Sequence, residues 1–119
     1  MPDLVESYRD LIVWQRSTQL ALAIYRLTTD FPKSEVFGLT NQLRRASVSV
    51  ASNIAEGYGR NSRGEYKQFL GMARGSNLEV QTQLLIASEL DYGGLECRRK
   101  AEGLSTEIER MLNSLISKL

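Results

Sequence analysis

Histidine is absent from this sequence, and cysteine occurs only once, at position 97. Histidine is the commonest general base, the usual partner of a serine or cysteine nucleophile, and a frequent ligand of transition metals. Its absence argues against these classes of site, so we expect no enzyme, no small-molecule substrate, no cofactor and no bound metal. Cys97 has no second cysteine with which to form an internal disulfide, which fits a reducing compartment.

Long apolar runs are also missing. No stretch approaches the roughly 20 apolar residues that a membrane-spanning helix needs, and the polar, acidic first ten residues do not resemble a secretory signal. We therefore expect a cytoplasmic protein that makes no membrane contact. The length of 119 residues fits one domain, and a chain of this size can bury a core without disulfides.

Proline occurs only twice, at positions 2 and 32, so most of the chain is without ring-induced helix breaks. Apolar residues recur at alternating intervals of three and four, which is the pattern of amphipathic helices. They predict four helices, over about residues 11–29, 34–57, 62–90 and 95–117. Because the connections are short, neighbouring helices should be antiparallel. The predicted fold is all-α, an up-down-up-down four-helix bundle that forms a single domain over residues 1–119.

Two local signals mark the starts of the middle helices. Ser34 is a plausible cap for the second helix, and Ser62 followed by Glu65 is a capping box for the third. The third helix has the most regular apolar seam: Tyr66, Leu70, Ala73, Asn77, Val80, Leu84 and Ala87. Three further residues are expected to broaden this face: Phe69, Met72 and Ile86. Gly71 and Gly75 lower the helix propensity of this segment, so we expect them to permit a close contact.

In the first helix, a stripe with the same spacing comprises Leu11, Trp14, Thr18, Ala21, Tyr25 and Thr28, and Leu20, Leu22 and Ile24 are expected to widen it. Most aromatic residues fall at core spacing, namely Trp14, Tyr25, Phe37, Tyr66 and Phe69. Tyr58, which lies between two glycines, is the exception. It either closes the end of the core, which we favour, or stacks on a nucleic-acid base or an arginine.

Basic residues are concentrated in the middle of the chain. Residues 41–75 carry six basic side chains against Glu56 and Glu65, whereas residues 76–94 carry three acidic side chains and no basic one. The six basic residues are Arg44, Arg45, Arg60, Arg63, Lys67 and Arg74. On two antiparallel helices they are expected to form one strip that neutralises nucleic-acid phosphates with little sequence discrimination. The alternative is a set of solvated charges, some of them paired with the two glutamates.

A second set of polar residues falls inside the apolar patterns of the same two helices. Its members are Ser49, Asn53, Glu56, Asn77 and Glu79. Buried amides and carboxylates need hydrogen-bonding partners, so we interpret the set as a polar network that fixes helix register or a contact between subunits. A catalytic or metal-binding pair of Glu56 and Glu79 is the disfavoured alternative, because di-metal bundles use histidine ligands as well.

Four segments together carry a resemblance to known proteins: DLIVW at 10–14, GLTNQLRRASVSV at 38–50, SNIAEG at 52–57 and FLGMARGS at 69–76. Their order and spacing resemble the bacterial four-helix-bundle family named for proteins encoded in intervening sequences of 23S ribosomal RNA genes. The resemblance implies ring-like homopentamers without enzymatic activity. The accessory protein of diversity-generating retroelements is similar and binds nucleic acid through a basic surface. Arg44, Arg45 and Arg74 fall within the matching segments.

Two functional hypotheses follow. The first is a cytoplasmic homo-oligomer, a pentamer by resemblance, that binds RNA or DNA without catalysis. The second is a structural or adaptor oligomer whose partner is another protein, with Arg44, Arg45 and Arg74 held in pairs between subunits. A ring would bury a second face of each bundle, and the small residues of the second helix and the glycines of the third suit such a face.

Overall fold

A computed structural model describes residues 5–119 of the chain. Its four α-helices are α1 Ile12–Thr29, α2 Leu39–Tyr58, α3 Arg63–Glu89 and α4 Leu95–Ser117. Each helix packs against the next, and α4 returns to pack against α1, so α1 and α3 lie on one diagonal. This arrangement confirms the predicted all-α four-helix bundle, which measures 45 × 28 × 20 Å. Within residues 5–119, no helix is long and apolar enough to cross a membrane.

The core is a column of aliphatic side chains to which all four helices contribute. In α3 the predicted seam is buried from Leu70 to Ala87, and Tyr66 is half-buried at its start. Met72 and Ile86 do not broaden this face as predicted, because they are 49% and 45% exposed. At 3.6 residues per turn, both positions fall outside the arc that the seam occupies.

The core face of α1 lies one position away from the predicted stripe. The buried residues of α1 are Val13, Ser17, Leu20, Ala23, Ile24, Leu27 and Thr28. Of the predicted stripe only Thr28 is among them, whereas Trp14, Thr18 and Ala21 are half-buried and Tyr25 is exposed. Of the three residues expected to widen it, Leu20 and Ile24 are buried and Leu22 is exposed. Both stripes satisfy the helical spacing, and packing against α4 and α2 decides which one enters the core. The second stripe lies along the outer side of the junction with α2.

The aromatic residues divide between the core and the surface. Phe37 precedes α2 and is 90% exposed, so its predicted core position is wrong, as is that of Tyr25. Tyr58 meets Tyr66 edge to face, with ring centroids 6.1 Å apart. Its hydroxyl donates a hydrogen bond to the carbonyl of Val5 at 3.2 Å. Tyr58 therefore closes one end of the bundle, which is the interpretation favoured from the sequence.

The second helix begins later than predicted. Residues Lys33–Glu35 form a single 3-10 turn, and α2 begins at Leu39. The predicted cap, Ser34, makes no capping hydrogen bond, and the Glu35 carboxylate instead accepts from the backbone N–H of Leu39 at 3.1 Å. A Cβ at Gly38 would lie 2.5 Å from that carboxylate. Glycine at this position therefore leaves room for the capping side chain.

The third helix begins where the capping box predicts. The Ser62 hydroxyl accepts the backbone N–H of Glu65 at 3.1 Å and donates to the Glu65 carboxylate at 3.3 Å. The glutamate thus reaches the serine hydroxyl and not the backbone N–H of Ser62, so one of the two bonds of the predicted capping box is formed. The bond from the Glu65 N–H to the Ser62 hydroxyl satisfies one of the N–H groups that have no partner within the helix.

A buried arginine that the sequence did not single out holds the turn between α3 and α4. Arg98 is 5% exposed and donates to the carbonyls of Tyr92 and Gly93 at 2.7 and 3.0 Å, and to the Asp91 carboxylate at 3.2 Å. Asp91 and Gly93 have φ angles of 54° and 73°. A Cβ at Gly93 would also lie 2.5 Å from Leu27 Cδ1, so this turn packs tightly on α1.

Candidate interaction surfaces

Arg44, the first of the paired arginines, is held against α1. Its Nε donates to the Thr28 hydroxyl at 2.8 Å, and its guanidinium carbon lies 4.6 Å from the centre of the Tyr25 ring. The Thr28 hydroxyl in turn donates to the carbonyl of Ile24 at 2.7 Å. Arg44 thus joins α2 to α1, and its charge rests on an aromatic face that attracts cations.

Arg60 is engaged by its own neighbourhood at the turn between α2 and α3. Its guanidinium lies 3.0 Å from the Glu56 carboxylate and 3.9 Å from the Glu65 carboxylate. The guanidinium carbon is also 4.5 Å from the centre of the half-buried Phe69 ring. The alternative interpretation of the basic residues, in which some pair with these two glutamates, therefore holds at this turn.

Arg74 shows why the basic residues do not form one strip. Its Nε lies 3.2 Å from the Glu109 carboxylate on α4, whereas Arg44 reaches α1 on the far side of α2. The two arginines therefore point to opposite sides of the α2–α3 pair, and the predicted continuous strip is wrong. The direction of each side chain depends on how its helix is rotated, which the spacing along one helix does not determine.

Three of the six predicted basic residues are exposed and form no ion pair with an acidic side chain of residues 5–119. They are Arg45, Arg63 and Lys67. Arg45 lines a polar groove between α2 and α3. Because Ser49 meets Ser76 across these antiparallel helices, Arg45 is level with about residue 80, roughly 25 Å along α3 from Arg63. Nucleic-acid binding by these residues stays a prediction.

The predicted polar set divides into two separate contacts. Between α2 and α3, the Ser49 and Ser76 hydroxyls lie 2.9 Å apart. Within α2, the Asn53 amide donates to the Ser49 carbonyl and hydroxyl at 2.9 and 3.0 Å. Between α3 and α4, the buried Asn77 amide donates to the Ser105 carbonyl at 3.0 Å and accepts from its hydroxyl at 2.8 Å. Both contacts lie within one chain and oppose sliding of α3 along its neighbours.

Glu56 and Glu79 do not converge on a common site. Glu56 pairs with Arg60, and Glu79 is exposed beside the polar groove between α2 and α3. Gly57 of α2 lies directly against Phe69 of α3, since a Cβ at Gly57 would be 2.6 Å from Phe69 Cβ. Glu56 is therefore level with the start of the α3 seam, and Glu79 lies about ten residues, or roughly 15 Å, further along α3. This separation excludes one metal or catalytic centre shared by the two carboxylates. In the described part of the chain, no three potential metal ligands cluster together.

An open apolar groove of about 540 Å³, the α1–α2 groove, runs along the outer side of the junction between these helices. Its lining residues are Tyr8, Trp14, Thr18, Ala21, Leu22, Tyr25, Val48, Ala51, Ser52 and Ala55. None of these side chains carries a charge at neutral pH. Leu22 and Val48 are 55% and 42% exposed, while small residues of both helices lie between the larger ones. The stripe that was predicted for the core of α1 forms one wall of this groove.

A second exposed apolar surface, the α3 outer seam, faces away from the core. It consists of Gly71, Gly75, Leu78, Thr82, Leu85 and Glu89, which are all exposed and recur at intervals of four and three. Leu78 and Leu85 are 43% and 61% exposed. A Cβ at Gly71 or Gly75 would meet nothing within 4 Å. The close contact expected at these glycines is therefore not made within residues 5–119.

The outward face of α4 differs from both of these surfaces. It carries exposed charged residues along its length, namely Glu96, Arg99, Lys100, Glu102 and Arg110. A helix face of this kind is well solvated and needs no covering partner. Along the sides of the bundle, exposed apolar residues are therefore concentrated on α1, α2 and α3.

The fold and the contacts above define an antiparallel four-helix bundle whose buried polar groups stabilise packing. The sequence profile of the 23S rRNA-intervening sequence protein family matches residues 9–114. This chain belongs to that family, which confirms the resemblance found in its sequence.

A crystal structure of a member of the S23 ribosomal protein family, from Bacteroides thetaiotaomicron and of unknown function, shares the fold. The two proteins are 25% identical, with a TM-score of 0.78, and the similarity covers 87% of this chain and 97% of the other. No curated protein matches the chain.

Proposed function

We propose that this chain is a non-enzymatic structural or adaptor bundle that assembles into a cytoplasmic homo-oligomer, a pentamer as the family resemblance implies. The α1–α2 groove is the observation that carries this proposal. Its apolar side chains face water in a single copy, although the core beneath it, including Leu20 and Ile24, is completely buried. A contiguous exposed apolar patch that is bordered by polar residues is typical of protein–protein interaction sites.

The energetic argument depends on how much apolar surface a partner would cover. Burial of one large aliphatic side chain contributes about 1.5–3 kcal/mol relative to full exposure. Leu22 and Val48 are about half exposed, so covering them would contribute part of that amount each. The small residues Ala21, Ala51 and Ala55, which also line the groove, allow a helix of the partner to approach closely. A second copy of the chain is the partner that is always available.

Sedimentation and light scattering across a range of concentrations test the proposal. A pentamer of 13.4 kDa chains has a mass of about 67 kDa. Leu22→Glu places a charge in the groove and should reduce the mass to that of a monomer, because a buried unpaired carboxylate is strongly disfavoured. Leu95→Glu is the matched control, since Leu95 is 52% exposed and lies outside the groove. A wild-type chain that stays monomeric at every concentration would refute the proposal.

Nucleic-acid binding is the second candidate function. It is favoured by the exposure of Arg45, Arg63 and Lys67, none of which pairs with a carboxylate in residues 5–119. In a homo-oligomer these charges would be repeated, and weak sites would gain through effective concentration. The intramolecular contacts of Arg44 and Arg74 leave fewer cations for phosphate, so the surfaces favour assembly over nucleic-acid binding.

Mobility shift with structured RNA and duplex DNA at low and moderate salt tests this second candidate. We expect the combined variant Arg63→Gln and Lys67→Gln to bind more weakly and to show a shallower dependence on salt, because each phosphate contact contributes about −0.9 to the slope of log K against log salt. Arg99→Gln with Lys100→Gln removes the same charge from α4 and should bind normally. The absence of any shift at low salt would eliminate the candidate.

A further inference from the structure

We infer that copies of this chain associate head to tail, with the α3 outer seam of one copy docked in the α1–α2 groove of the next. The inference rests on the proposed homo-oligomer and names the two surfaces that meet in it. The occupant of the groove is thus a helix of a second copy, presented by a face that its own bundle leaves uncovered.

The shapes of the two surfaces are complementary. The outer seam has the alternating four and three spacing with which helices pack at shallow angles. Its first two positions, Gly71 and Gly75, have no side chain, and nothing lies within 4 Å of where a Cβ would be. The groove presents protruding side chains at its edges, Leu22 and Val48, which are about half exposed. Protruding residues on one copy therefore meet the flat part of the other.

The two surfaces also lie at the same height along the bundle. Ser49 on α2 meets Ser76 on α3, so the α2 wall of the groove, residues 48–55, is level with about residues 70–77 of α3. This range contains both glycines of the seam. Copies related by rotation about an axis parallel to the bundle stay level, so the seam of one copy reaches the groove of the next without sliding along it.

The distribution of charge favours the same pairing. The seam continues into residues 76–89, whose only charged groups are Glu79 and Glu89, and neither forms an ion pair with a basic side chain in the described residues. Arg44 and Arg45 stand at the end of the groove, around Tyr25 and Val48. In the docked pair, Glu79 of one copy is level with the two arginines of the next, and opposite charges in an interface fix its register.

The placement of the two surfaces allows the assembly to close. Because α1 and α3 lie on a diagonal of the bundle, the groove and the seam face different directions and belong to different surfaces. An interface between two different surfaces is heterologous, and its repetition forms a ring when the rotation closes. A contact of groove against groove would instead stop at a dimer.

Mixing two variants tests the head-to-tail arrangement. Leu22→Glu blocks the groove, and Leu78→Glu blocks the seam, so each variant alone should be a monomer. In a mixture, the intact seam of the first can dock in the intact groove of the second, and assembly should stop at a 1:1 pair of about 27 kDa, twice the mass of one chain. Sedimentation of each variant and of the mixture provides the measurement.

The controls separate this inference from the proposed function. Leu22 and Leu78 are 55% and 43% exposed, and circular dichroism will verify that both variants stay helical; Leu85→Glu is a second block of the seam at 61% exposure. A monomeric wild type would overturn the proposed function as well. A wild type that assembles while Leu78→Glu and Leu85→Glu assemble equally well would overturn the inference alone. Two monomeric variants that fail to pair on mixing would also overturn it.

Discussion

The buried pair of Asn77 and Ser105 leads to a prediction for the replacement of Asn77 by alanine. Asn77 is completely buried and exchanges two hydrogen bonds with Ser105, at 3.0 and 2.8 Å. Each net hydrogen bond is worth about 1 kcal/mol, and a buried polar group left without a partner costs about 1–3 kcal/mol. The Ser105 carbonyl keeps its hydrogen bond within α4 when Asn77 is removed. The cost of a lost partner therefore falls mostly on the Ser105 hydroxyl.

We therefore expect Asn77→Ala to lower the free energy of unfolding by about 2–4 kcal/mol. For a domain of this size, each kcal/mol shifts the melting temperature by roughly 4 °C, so the shift is roughly 8–16 °C. Urea and thermal unfolding followed by circular dichroism provide the measurement. All variants must be compared at one protein concentration, because the proposed assembly would add to apparent stability.

Two further variants make this prediction specific to the pair. Asn113→Ala removes the same side chain from an exposed position on α4 and should change the free energy of unfolding by less than about 0.5 kcal/mol. The double variant Asn77→Ala with Ser105→Ala should lose less than the sum of the single losses, by at least about 0.5 kcal/mol. A loss below about 0.5 kcal/mol for Asn77→Ala, or strict additivity, would contradict the reasoning.

Three more predictions concern the packing of α2 against α3, the outer seam and the response to alkali. Gly57→Ala should lower the free energy of unfolding by about 1–2 kcal/mol, because the added Cβ would overpack against Phe69. Gly59→Ala is the control, since a Cβ there makes only ordinary contacts at 3.6 Å or more, and it should leave the urea midpoint nearly unchanged. Gly75→Ala should raise the stability of the dilute monomer by up to about 1 kcal/mol yet weaken assembly in sedimentation; unchanged assembly would count against the seam. Burial, with a smaller contribution from the adjacent Tyr58, raises the pKa of Tyr66 in the folded protein. The stability that the neutral Tyr66 side chain contributes is therefore fully present below the unfolded pKa of about 10. It is lost as the pH rises through the higher pKa of the folded state. Tyr66→Phe should accordingly show a smaller fall in urea midpoint than the wild type between pH 8 and pH 11. An identical fall in both proteins would show that ionisation of Tyr66 does not cause the loss of stability.

The parts of the fold that follow from local chemistry were predicted correctly. The Ser62 cap and the α3 seam from Tyr66 to Ala87 depend only on residues within one helix, and both are present. In α1, however, two apolar stripes run side by side with the same spacing. Periodicity does not distinguish them, since the choice depends on how the other helices cover α1. The sequence therefore predicted the helix correctly and its buried face only in part, at Leu20, Ile24 and Thr28.

Long side chains were the least predictable part of the candidate site. Arg44, Arg60 and Arg74 looked equivalent in the sequence, yet one rests on a tyrosine, one pairs with two glutamates of its own turn, and one pairs with α4. The contacts of Arg44 and Arg74 depend on helix rotation, whereas Arg60 pairs with Glu56 four residues before it, a local contact that the alternative interpretation of the sequence included. Arg98 was missed because a charged residue in a helix is usually exposed. Its side chain is buried because two backbone carbonyls and the Asp91 carboxylate converge on it in the turn before α4.

The only tryptophan of the chain stands in the α1–α2 groove, a placement with a practical consequence. Trp14 is half-buried, and its ring meets Tyr8 edge to face at 5.1 Å. The fluorescence of the tryptophan indole shifts to shorter wavelength when its surroundings lose water, so binding of a partner in the groove would shift the emission maximum of Trp14. Trp14 is thus an intrinsic fluorescent probe of the α1–α2 groove. For the proposed assembly, the spectrum followed during dilution without any added label would give the concentration at which half of the grooves are filled.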